Sequence, residues 1–116
     1  MKLIKDFVQD DSFIIRITYN PIIDISGSLF ELTLKSNPDS IISYTLASYT
    51  APVGGDSTNG VVNIPVTREA TSAVPQGSYY VTLKKTLGDN TITLARSGKS
   101  NIDKVTVYKT LIEKVT

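Results

Sequence analysis

The sequence predicts an all-β fold: an antiparallel β-sandwich of seven or eight short strands, with one short helical turn near residues 67–73. Three observations lead there. Apolar and polar residues alternate with period two in several segments, most clearly where Phe30, Leu32 and Leu34 interleave with Glu31, Thr33 and Lys35. Clusters of Gly, Pro, Asn, Asp and Ser separate these segments. A sharp corner at Pro75 and Gly77 opens directly onto Gly77-Ser-Tyr-Tyr-Val-Thr-Leu-Lys-Lys85, where Tyr79, Val81 and Leu83 share one face. A strand of that kind is entered from a crossover between two sheets.

In the first segment, Leu3, Ile4, Phe7 and Val8 are spaced for either a helical turn or a short strand, and an edge strand over 2–8 is the preferred reading. Gln9-Asp-Asp11 is a turn. Residues 12–19 read as a strand with Phe13, Ile15, Ile17 and Tyr19 on one face and Ile14, Arg16 and Thr18 on the other. Asn20-Pro21 ends it. The strand over 27–36 points Phe30, Leu32 and Leu34 inward, and Leu29 at its start has the outward parity. After the turn Asn37-Pro-Asp-Ser40, a short strand over 41–46 has Ile42, Tyr44 and Leu46 inward.

Residues 50–60 hold three glycines and one proline, which predicts a connection without a regular element. A strand over 61–66 follows, with Val62, Ile64 and Val66 inward and Pro65 on the outward parity of an edge or a strand end. Thr67 is placed to cap the helical turn, with Glu69 near its positive end. Beyond the corner strand, Leu87-Gly-Asp-Asn90 closes a hairpin onto residues 91–96, where Ile92 and Leu94 point inward. Ser97-Gly-Lys-Ser100 interrupts the pattern as a bulge would. Val105 and Val107 define a last strand over roughly 102–109, with Ile102 on the opposite parity. The tail Tyr108, Leu111, Ile112, Val115 has helical spacing and reads equally as a strand extension that meets a partner.

At 116 residues the protein is expected to be one domain with a core of its own. Twelve basic against eleven acidic residues leave a net charge of +1, and Lys84-Lys85 is the only adjacent basic pair. That balance gives no electrostatic case for nucleic acid or an anionic membrane as partner. The sequence has no Cys and no His, which excludes disulfides, thiol nucleophiles and imidazole acid–base chemistry from it. Lys5 and Asp6 interrupt the first apolar residues, so no signal peptide is expected, and synthesis and folding in a cytoplasm are. Asp10-Asp11, Asp24, Glu31 and Asp89 fall at turns or on outward positions, where nothing in the pattern would raise a carboxyl pKa. The reading is therefore a non-enzyme without catalytic residues, metal or cofactor.

Several candidate sites remain. Gly54-Gly-Asp-Ser-Thr-Asn-Gly60 places oxygen donors close together but lacks a closing bidentate carboxylate, so a flexible connection is preferred over a calcium site. Tyr49, at the mouth of that loop, is the one tyrosine placed to meet a ligand such as a sugar. Pro75, Gly77 and Tyr79 form a structural corner: a tyrosine just after a Greek-key crossover can bond back to the corner backbone, and parity favours Tyr79 over Tyr80. Leu3, Ile4, Phe7 and Val8, with Leu111, Ile112 and Val115, are the candidate interface, since both ends are too apolar for idle tails. Residues 1–11 and 110–116 are thus read as possible interaction arms. The alternative is that each end folds back as an edge strand of its own domain.

Three parts of the chain carry a family resemblance. Ile23-Asp-Ile-Ser-Gly-Ser-Leu-Phe-Glu-Leu-Thr-Leu-Lys35 resembles the opening of small phage virion domains, a hydrophobic-Asp-Leu-Thr-Gly stretch followed by hydrophobic-x-Leu-x-Lys. Gly60-Val-Val-Asn-Ile-Pro-Val-Thr-Arg-Glu-Ala-Thr-Ser-Ala-Val-Pro-Gln-Gly-Ser-Tyr-Tyr-Val-Thr-Leu83 is similar to their second half, and residues 91–96, Gly98 and 105–107 to their final hairpin. The family is the Ig-like domain found at the N-terminus of phage baseplate upper proteins and alone in small virion proteins. The resemblance spans about residues 12–109, with residues 1–11 outside it and 50–60 as a possible insertion. It implies a single Ig-like Greek-key sandwich and a structural role in a phage tail, baseplate or capsid surface. It further implies other virion proteins and further copies of this protein as partners, and no catalytic residues. The alternative within the same fold is an adhesion or carbohydrate-binding module.

Overall fold

Alternation of buried and solvent-facing side chains sets most of the strands. The computed structural model describes residues 4–37, 39–96 and 105–108. Among these, the order is β1 (Phe7–Val8), β2 (Phe13–Thr18), β3 (Leu29–Lys35), β4 (Tyr44–Thr50), a 3-10 turn (Gly55–Asn59), β5 (Val61–Val66), α1 (Arg68–Ser72), β6 (Gly77–Leu87), β7 (Asn90–Arg96) and β8 (Val105–Tyr108). The architecture is mostly β: a curled, half-barrel sheet of six strands and a small sheet of two.

The large sheet runs β1-β8-β6-β3-β4. Its long strand β6 pairs along one side with β3, in register Leu32 opposite Leu83 and Leu34 opposite Val81. Its other side is shared, β8 taking Gly77 to Tyr79 and β7 taking Thr82 to Leu87. The predicted edge strand near the N-terminus is present but short, and it lies parallel to β8, so the sheet is mixed rather than wholly antiparallel. β2 and β5 make the small antiparallel sheet, Phe13 opposite Val66 and Ile17 opposite Val62.

The core lies between the sheets. Phe30, Leu32 and Leu34 of β3, Tyr79 and Val81 of β6, and Val105 and Val107 of β8 are buried against Val62, Ile64 and Val66 of β5. Three sequence expectations need correction. Ile92, expected inward, is 56 % exposed, and Leu83 and Leu94 are only half-buried. Register aligns Phe30, Lys85 and Ile92 across the sheet, and burial falls along that row from complete to partial to exposed. The parity of Ile92 is therefore sound, but β7 lies beyond the cover of a two-stranded sheet. Second, the strand expected over 41–46 begins at Tyr44 and runs to Thr50, leaving Ile42 exposed. A bulge opposite Leu32 and Thr33 buries the consecutive residues Leu46 and Ala47, which strict alternation cannot do. Third, the segment 50–60 contains the 3-10 turn and is tied down, as described below. The expected features at 97–104 and 109–116 lie outside the described residues.

The crossover from the small sheet to the large one passes through α1 and the Pro75 corner. Thr67 caps α1 by accepting the Ala70 N–H at 3.2 Å, and Glu69 lies in the first turn. The helical turn is moored to the β1–β2 turn, where the Thr71 hydroxyl donates to the Asp11 carbonyl at 2.7 Å and Gln9 Nε2 to the Val74 carbonyl at 2.8 Å. Tyr79 then reaches back, its hydroxyl donating to the Pro75 carbonyl at 2.6 Å, with its ring edge-on to Tyr44 at 5.8 Å.

Two outcomes follow from this packing. Tyr79→Phe removes one hydroxyl and no volume of consequence, so the unfolding free energy is expected to fall by about 1 kcal/mol, read as a lower urea midpoint at unchanged slope. An unchanged midpoint would show that the bond does not hold the corner. Gly60 and Gly88 both have positive φ, +76° and +60°, but a Cβ on Gly60 would sit 3.0 Å from the Ile23 carbonyl oxygen and 3.1 Å from Tyr19 Cβ, whereas Gly88 faces open space. Gly88→Ala should cost about 1 kcal/mol, the left-handed penalty alone, and Gly60→Ala clearly more. Equal costs in paired denaturation curves would refute the crowding at Gly60.

Candidate functional site

The narrow second sheet leaves two seams along its sides, and both are clefts. β2 pairs only with β5 and β4 only with β3 among the described residues, so strand edges face one another across each seam.

The first seam lies between β1 and β2. It is an open cleft of about 590 Å³ with Ile4, Phe7, Phe13 and Ile15 on its walls and Lys5 and Asp11 at its rim. The Phe7 and Phe13 rings meet at 5.6 Å. Ile4 and Phe7, read from sequence as interface residues, are buried in the protein's own core, and Val8 is half-buried in β1. The first segment therefore folds back onto its own domain, because a parallel edge beside β8 gives its backbone partners and its apolar side chains cover. Leu3, Leu111, Ile112 and Val115 lie outside the described residues.

The second seam lies between β4 and β5. It is a cleft of about 320 Å³ bounded by Tyr49, Pro52, Val53, Asp56, Val61 and Asn63. Its roof is the 3-10 turn, which is no loose connection. Gly54 N–H donates to Ser26 Oγ at 3.2 Å, Ile25 N–H to the Ser57 carbonyl at 3.0 Å, and Ser57 is buried. Beside this cap, the Ser26 hydroxyl and amide hold the exposed Asp24 carboxyl below its ordinary pKa. Tyr19 lies under the same end; burial pushes its phenol pKa up, its hydroxyl is buried without a hydrogen-bond partner among the described residues, and Lys85 Nζ stands 5.6 Å from its ring centre.

Several acidic residues serve turns, and Asp6 serves a strand, its Oδ1 accepting from the Thr106 N–H of β8 at 2.9 Å. Asp10, at positive φ, accepts from the Ser72 hydroxyl, Asp11 Oδ2 from the Val8 N–H, and Asp24 Oδ1 from the Ser26 N–H, while Glu31 stands opposite Lys84 in register. Among the described residues no three metal-ligating side groups come together.

The sequence reading passed over one feature. Leu29, Thr50 and Thr86 are level across the large sheet, so the backbone just beyond them lies at one end of the molecule. Val53 (88 % exposed), Leu87, and Ile22 with Ile23 beside Gly60 present apolar side chains to solvent there. Ile41 and Ile42 do so at the opposite end, before β4. Two isoleucine pairs outside the strands, Ile22-Ile23 after Pro21 and Ile41-Ile42 between Ser40 and Ser43, were the available signal.

No model of a known protein family matches the sequence, and no curated protein matches it.

Proposed function

We infer that this is a non-enzymatic structural protein of a bacteriophage virion, a tail, baseplate or capsid-surface component that acts by assembling with its own copies and with neighbouring virion proteins. Its fold is then a departure from the Ig-like Greek-key sandwich, with a mixed large sheet and a reduced second sheet, keeping the tyrosine corner at Pro75, Gly77 and Tyr79. The resemblance in residues 12–109 suggests the family. The observation that carries the assembly reading is the placement of exposed apolar side chains. Val53, Leu87, Ile22 and Ile23 share one end of the molecule, where strands stop, with Val53 also at the edge of the β4–β5 cleft; Ile14, Ile92 and Tyr108 are exposed singly along strands. Ile4 and Phe7 of the first segment contribute through the core, and the Val53 end of the molecule is proposed as a contact surface along with the C-terminal residues Leu111, Ile112 and Val115. The protein reaches the virion after synthesis in the host cytoplasm, and neither nucleic acid nor membrane has a part in this role.

The double variant Val53→Asp, Leu87→Asp is expected to keep the wild-type melting curve and to lose assembly, measured by sedimentation of the purified protein and by its incorporation into particles. Wild-type incorporation would overturn the reading.

A second reading, an adhesion or carbohydrate-binding module, is favoured by the Tyr49 cleft, which brings a half-buried aromatic ring together with Asp56 and Asn63. On a glycan array it requires a ligand whose binding falls tenfold or more, about 1.4 kcal/mol, in Tyr49→Ala. Absence of binding leaves the assembly role standing alone.

A further inference from the structure

The geometry points to Asn59–Gly60 as a site of spontaneous covalent modification, a deamidation that the cap over the β4–β5 seam holds shut and that, where it yields isoaspartate, prevents the cap from closing again. The sequence has six asparagines, and only Asn59 is followed by glycine. Asn20 and Asn37 precede proline, which has no N–H, and Asn63 and Asn101 precede isoleucine, whose branched side group hinders the approach.

The step is an intramolecular acyl transfer. The Gly60 backbone nitrogen loses its proton and attacks Asn59 Cγ. The bond from Cγ to the amide nitrogen Nδ2 breaks, and that nitrogen takes up a proton and leaves as ammonia. The resulting five-membered imide is opened by water at either carbonyl, giving aspartate or, with the backbone rerouted through Cβ, isoaspartate. Neither oxidant nor reductant is involved.

Asn59 is exposed, so solvent reaches it, but three features oppose the attack in the closed cap. The Gly60 N–H donates to the Ser57 carbonyl at 3.1 Å, which ties up the proton that must leave. Asn59 is the last residue of a 3-10 turn, whose backbone aims the following N–H back along the turn rather than at its own Cγ. Gly60 is also wedged against the Ile23 carbonyl and Tyr19 Cβ, so the turn cannot rotate in place. Reaction therefore waits for the cap to lift. Isoaspartate then adds a backbone methylene and a negative charge beside a residue with no spare room. The Ile25–Ser57 bond cannot reform, and Ile25 and Val62, now buried, become accessible at the seam. This inference is independent of the virion role.

The test follows the intact protein at mildly alkaline pH, native and in urea, by fragment mass spectrometry and enzymatic isoaspartate detection. In urea, Asn59 is expected to convert before the other five asparagines; in the native state its conversion should be slower by roughly tenfold or more. Ser26→Ala, which removes the hydroxyl that holds Gly54, should raise the native rate while the melting curve stays cooperative. Equal native and urea rates, another asparagine converting first in urea, or an unchanged native rate in Ser26→Ala would each overturn the proposal.

Discussion

A six-stranded sheet must bury its inner face under a sheet of only two strands, and the rest of this structure answers that mismatch in area. Phe30, Leu32, Leu34 and Val81 form the middle of the large sheet's apolar face, and Val62, Ile64 and Val66 cover them. What β5 and β2 cannot reach has to be covered by something else or left wet. On one side Ile4 and Phe7 fold in beside β8. On the other, Ile25, Ala51 and Ser57 plug the gap through the cap. Beyond both, at β7, none of the described residues covers Ile92, which is exposed. Because interiors pack densely, each plug is specific to its gap.

This division of labour explains why the clefts are seams rather than built pockets. Each lies where two strand edges approach without pairing, and its walls are residues already engaged in closing the core. Asp10, Asp11 and Asp24 hold turns, and the hydroxyls of Thr71 and Tyr79 hold the crossover. The proposed assembly role rests on the apolar side chains exposed where strands end rather than on these seams.

The strands with a plain outline in the residues were those whose surroundings are symmetrical. β3 and β5 alternate between one buried and one wetter face, so period two describes them fully. The Thr67 cap and the Pro75–Tyr79 corner were equally local, each needing only a few neighbouring residues to form its bond. The candidate site was less legible. Tyr49 stood out beside its loop, but the apolar end did not, because Ile22, Val53 and Leu87 are far apart in sequence and only strand register brings their loops level.

The sequence by itself determined an all-β protein without thiol or imidazole chemistry, the inward parity of its central strands, and the cap and corner residues that join its two layers. Tertiary structure decided how far each sheet extends and therefore which inward-facing residues find cover. It set β1 parallel to β8, committed Ile4 and Phe7 to the core, bulged β4 so that Leu46 and Ala47 both bury, and locked the glycine-rich segment with bonds to Ser26 and Ile25. The reason is physical: alternation records which way a side group points, whereas burial depends on what stands opposite, and that is settled by contacts between residues distant in sequence.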